Sequence, residues 1–149
     1  MKKLPLLLYI VFFGLVSCSD DAEQIIVDPN VPQGALNVQR SGNFVDQNNA
    51  GSTGQAALGT DSQGTEFLQF DSSFNTALAT GTVTVFLSTS DTFMADPMNG
   101  NPNLLPLGPV RNSGENFFRI PAGSSTAQFT HVILWCGSVG VPFGNANLQ

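Results

Sequence analysis

The chain has 149 residues, a formal charge of −6 and two cysteines, which is the size of one modest domain. Residues 1–17 have the layout of an export signal; without them the cations are Arg40, Arg111 and Arg119 against all 11 acids, a net charge of −8 with no lysine. Three dispersed arginines form no basic stripe, which excludes nucleic acid as a partner and adhesion to anionic lipid by charge alone. The remaining phenylalanines, with many Val, Leu and Ile, are enough for a core and exclude a disordered chain.

Met1-Lys2-Lys3 is a short positive region, and the apolar run Leu4–Val16 follows it. That run is too short to span a bilayer comfortably as a helix. It ends in Leu15-Val16-Ser17-Cys18, which resembles a bacterial lipobox, so Cys18 is expected to be acylated and to become the first mature residue. Such a protein is anchored to a membrane rather than spanning it. Ser19-Asp20-Asp21 resembles the acidic export tag of Bacteroidetes surface lipoproteins. The expected location is therefore the outer membrane, with exposure on the cell surface. Residues 18–33 read as an acidic tether broken by Pro29 and Pro32, and residues 34–149 as the folded domain.

From Gly34 onward Gly, Thr, Ser, Asn and Phe are common while Glu is scarce and Lys absent, which favours strands and turns. Strands are predicted at Asn43–Asp46, Gln55–Leu58, Glu66–Phe70, Thr82–Ser88, Asn116–Ile120, His131–Cys136 and Val139–Phe143. Val83, Val85 and Leu87 alternate with Thr82 and Thr84, the pattern of a half-buried strand. Val132-Ile133-Leu134-Trp135 is apolar on both faces, which predicts a central strand covered on two sides. Asp91–Pro109, rich in proline and asparagine, reads as a long loop. The expected fold is all-β: a single antiparallel sandwich or open barrel.

Little here supports hydrolytic chemistry. His131 is the sole histidine, no Gly-x-Ser-x-Gly elbow exists, and the acids are scattered. A Cys/His zinc site lacks ligands, and no EF-hand-like calcium loop is present. If Cys18 carries lipid, Cys136 has no partner within the chain. It is then either a small buried hydrophobe or a redox-active thiol or soft ligand. Strand alternation puts Cys136 on one face with Leu134 and Val132, and His131, Ile133 and Trp135 on the other. His131 therefore cannot be a second ligand to a group held by Cys136 unless a bulge intervenes. Met94 and Met98, in the long loop, are the other soft candidates.

Val132–Cys136, followed by Val141-Pro142-Phe143-Gly144-Asn145-Ala146-Asn147-Leu148, resembles the carboxy-terminal signature of the electron-transfer DM-thirteen domain. This family occurs beside DOMON domains and in bacterial secreted proteins. Leu107–Gly114 resembles its Leu-Gly segment, and Phe118-Arg119-Ile120-Pro121-Ala122-Gly123 its aromatic-x-Ile-Pro-x-Gly stretch. Gly42-Asn43-Phe44 and Gly54-Gln55-Ala56 fit its opening steps. The resemblance implies a β-sandwich and a redox role for Cys136, as a bare thiol or as the holder of a prosthetic group such as haem. Two departures stand out. Asp46–Gly51 lacks the family's frequent histidine, and Ala79–Thr82 replaces its usual Pro-Asp.

The reading is a membrane-anchored redox lipoprotein centred on Cys136, with an unidentified redox partner. Its rival is a non-enzymatic surface binding or adhesion module in which Cys136 is structural and loops such as Asp91–Pro109 carry recognition.

Overall fold

A computed structural model describes residues 27–94 and 100–149. Cys18 and Met98 lie outside these residues. The described chain forms eight strands: β1 (Asn37–Asp46), β2 (Gln55–Thr60), β3 (Glu66–Phe70), β4 (Val83–Ser88), β5 (Leu104–Pro109), β6 (Asn116–Arg119), β7 (His131–Cys136) and β8 (Val141–Asn147). All pairings are antiparallel, in the order β5-β4-β7-β8-β1-β2-β3-β6. The end strands β5 and β6 approach without pairing, so the sheet is a nearly closed barrel with one seam. The all-β expectation holds. Among the described residues no helix is long and apolar enough to cross a membrane.

Strand β1 joins the two halves. Its first part pairs with β2, and Phe44–Asp46 pair with β8. Where it changes partner, an added Cβ on Gly42 would lie 1.9 Å from the Asn147 carbonyl oxygen. Only glycine lets the two backbones approach this closely. Two residues later Phe44 enters the core, which explains the Gly-x-Phe step physically.

The core has two parts. Phe44, Phe70, Phe74 and Phe118 cluster with ring centroids 4.5–5.3 Å apart along the Phe44–Phe70–Phe74 triangle and the Phe70–Phe118 contact. These tilted and edge-on contacts are the favoured aromatic geometries. Opposite them lies an aliphatic wall of Val83, Val85 and Leu87 from β4 and Val132, Leu134 and Cys136 from β7. Burying so many large side chains, at ~1.5–3 kcal/mol each, is the main force holding the barrel.

Ile133 points to the outer face of β7 yet is fully buried, as a strand covered on both sides requires. On that outer face Phe93 stacks on Trp135 at 4.0 Å and 15°, and also meets Phe86 on β4. The chain after β4 thus folds back over the sheet.

One expectation is corrected. Leu104–Pro109 is a strand, not part of a loop. Pro106 and Pro109 obscured it because proline lacks the donor a ladder needs. β5 tolerates both because it is an edge strand, and its pairing with β4 is irregular between Val85 and Phe86. β1 also starts earlier than Asn43, and β8 runs on to Asn147. The Asn-rich and Gly-rich ends of these two strands carry little apolar alternation.

Candidate functional site

Cys136 is the last residue of β7, paired with Val83 of β4 and Val141 of β8. It is the free cysteine among the described residues, and none of its surface is exposed. Alternation along β7 places its sulfur inward with Leu134 and Val132, all in the common core. The ladder from β7 to β4 runs without a register shift from Ser88–His131 to Val83–Cys136. The irregularity facing Leu134 and Trp135 is carried by β8, where Phe143 is the extra residue. The possible bulge in β7 is therefore absent, and the alternation rule stands.

The thiol is deep in burial but shallow in the chain. Gly137–Gly140, the next four residues, form an exposed turn closed by the Gly140 N–H donating to the Cys136 carbonyl at 2.9 Å. Thr80 Oγ1 lies 4.0 Å from Sγ, a weak polar contact. Gly81 sits over the sulfur with φ of 139°; an added Cβ would stand 3.9 Å from Sγ and 2.1 Å from Ser138 Oγ. Thr80 and Gly81 thus lie beside the sulfur, and Ser138 packs against Gly81. The sequence pointed to Ala79–Thr82 only as a departure from the family pattern. Neither Ser138 nor Gly81 carries a signal of its own, because the contact joins residues 57 apart in the chain.

The same end of the barrel is tied by a buried polar knot. Ser52 Oγ donates to the Phe143 carbonyl at 2.7 Å, which leaves Thr76 Oγ1 to donate to Ser52 at 2.8 Å. Asp46 Oδ1 accepts from the Ser52 N–H. These pairings satisfy groups that would be costly to leave bare. Asp46–Gly51, where the family's histidine is expected, folds onto β8 here. Asn48 Nδ2 donates to the Pro142 carbonyl and the Gln47 N–H to that of Phe143.

The other sequence candidates do not converge on the thiol. His131 starts β7 at its far end, five residues or about 17 Å away along the strand, on the opposite face. It is half-buried, and its Nδ1 lies 2.9 Å from Thr130 Oγ1. Met94 is exposed. No group of three or more His, Cys, Asp or Glu suited to a metal ion occurs among the described residues.

A haem held by Cys136 would need a slot of at least ~300 Å³ at the sulfur and, for two-ligand binding, a second soft or imidazole ligand. The sulfur is instead enclosed by packed core. The clefts of about 440 and 280 Å³ are lined by other residues. Gln47 Oε1 is buried without a partner, but an amide oxygen is not among the usual axial ligands of haem iron. The residues around Cys136 do not fit a haem.

The fold and site together define an antiparallel β-barrel domain with one cysteine sealed at its end. A family model described as Electron transfer DM13 matches residues 43–148, and the chain belongs to that family. No curated protein and no solved structure gives a significant match.

Proposed function

We propose that the protein is a membrane-anchored, extracytoplasmic lipoprotein whose barrel takes part in electron transfer through Cys136. The observation that carries this reading is the match to the Electron transfer DM13 family over residues 43–148, which includes the Trp135-Cys136 pair. Lipidation at Cys18 would hold the domain at the outer membrane. It would also leave Cys136 as a thiol with no disulfide partner in an oxidising compartment. The reacting group is the thiol itself, reached when the Thr80–Gly81 cover opens: its thiolate would attack a disulfide of the redox partner, forming a mixed disulfide and releasing the partner's other sulfur as a thiolate. Low-stability turns can open locally without global unfolding.

The test is alkylation of the native protein combined with protein-film voltammetry. The redox reading expects slow but measurable native labelling of Cys136 and a redox wave that Cys136→Ser abolishes. A visible absorption band that shifts with dithionite would move the centre from the thiol to a bound cofactor. A thiol that labels only after unfolding, in an electrochemically silent protein, would defeat the reading.

The complete burial of Cys136 within the contiguous core favours a second reading. Here the protein is a non-enzymatic surface binding module and the cysteine is a packing residue. Cys136→Ala would then lower stability and leave ligand binding unchanged.

A further inference from the structure

Among the described residues the sheet is left unpaired between β5 and β6, and a cleft of about 440 Å³ lies at this seam. Arg111 and Arg119 both line it. They are two of the three arginines among the described residues. The third, Arg40, is committed: its guanidinium donates to the Phe129 and Thr126 carbonyls. Arg111 and Arg119 are exposed, and neither guanidinium has an acid or a carbonyl partner among the described residues. Two guanidinium groups without such partners among the described residues thus line one cleft.

Two acids, Asp28 and Glu115, also line the cleft, but neither forms an ion pair with the arginines. Asp28 Oδ1 accepts from the Asn30 N–H, and Glu115 Oε1 accepts from Gln69 Nε2. Alternation along β6 puts Phe117 between Glu115 and Arg119 on the outer face, while Asn116 and Phe118 point inward. Leu107 and Val31 add apolar surface. The cleft therefore sets Phe117, Leu107 and Val31 beside two arginines, within a lining that is otherwise mostly polar, and its volume suits a small organic molecule.

Two occupants could use a barrel seam: an added peptide strand or a small ligand. Strand addition needs a regular edge with free donors. On β5, Pro106 and Pro109 have no N–H, Gly108 has φ of 131°, and the ladder is irregular there. β6 is only four residues long. Both edges are thus blunted against another strand.

We infer that the β5–β6 cleft binds a small organic anion, with an apolar body on Phe117 and a carboxylate or phosphate held by Arg111 and Arg119. Guanidinium groups recognise such oxyanions by paired, charge-assisted hydrogen bonds. The site is independent of the thiol.

The probe is naphthoate, with neutral naphthamide as its control, followed by amide NMR. Naphthoate should shift the amide signals of Arg111, Phe117 and Arg119, and Cys136→Ser should bind it unchanged. Each of Arg111→Gln and Arg119→Gln should weaken binding about tenfold. Inorganic phosphate should compete only weakly, because it lacks the apolar body. No shift at millimolar naphthoate would overturn the inference. So would equal binding of naphthamide, or binding that survives the Arg111→Gln/Arg119→Gln double variant.

Discussion

The closed end of the barrel and its open seam solve opposite problems. At the closed end Gly81 leaves no room for a side chain against Ser138, Thr80 Oγ1 lies 4.0 Å from the Cys136 sulfur, and separately Ser52 and Thr76 are hydrogen-bonded at 2.8 Å. At the seam, Arg111 and Arg119 are exposed without an ion-pair or carbonyl partner among the described residues, and the two prolines of β5 offer no edge donors. Where packing is complete, residue type is dictated by volume and hydrogen bonding. Where it is incomplete, side chains are free to meet something else.

Substitutions should separate the two regions by size of effect. The largest is expected at Gly42, where β1 passes against β8. Gly42→Val places side-chain atoms inside the Asn147 backbone and should cost roughly 3 kcal/mol or more, or prevent folding. Urea unfolding measures this, and a near-normal midpoint would show that β1 and β8 can separate there.

Cys136→Ser comes next. It puts a hydroxyl into an apolar wall and should cost about 1–3 kcal/mol. A loss much below this range would mean that the end is looser than its geometry shows.

Gly81→Ala combines a left-handed φ with a clash against Ser138 and should cost about 1–2 kcal/mol. It should also speed alkylation of Cys136, because the added methyl displaces the cover. Ser138→Gly in the Gly81→Ala background should recover part of the stability. Unchanged labelling would place the route to the thiol elsewhere.

The turn before β3 supplies a pH test away from the closed end, and it touches the seam only through the charge of Arg119. Asp61 accepts from the Gln33 N–H, and this holds its carboxyl below the usual aspartate range; burial opposes the shift. The Thr65 and Gln63 N–H groups and the charge of Arg119 also lower it. A carboxyl lowered by folding stabilises the protein above its unfolded value, about 3.9. That contribution is lost as pH falls through the folded value. Acid unfolding curves should show this loss, and Asp61→Asn should flatten it.

The smallest effect is expected at the seam. Arg111→Gln and Arg119→Gln should each change stability by less than about 0.5 kcal/mol while altering anion binding. A large destabilisation would turn the seam into a structural feature like the closed end.

Much of the fold was legible because strand alternation and turn residues are local. Val83–Leu87 and His131–Cys136 show their faces directly, and both lie where expected. β5 was hidden because proline marks a loop unless the strand is an edge, and edge position is a property of the sheet. That Cys136 shares a face with Val132 and Leu134 was readable from alternation; that this face points inward was not, because both faces of β7 are apolar. The cover of Cys136 was not readable either, since Thr80 and Gly81 meet it only through the β4–β7 ladder.

The sequence alone determined the chemical inventory: an acidic chain, three arginines, one cysteine beyond Cys18, and an all-β pattern. Those follow from composition and from a period of two, neither of which depends on distant contacts. Only the tertiary structure decided that the sulfur is sealed without room for a haem and that two arginines share one cleft. Both depend on which strands close the barrel and which stay apart, and long-range pairing fixes that choice.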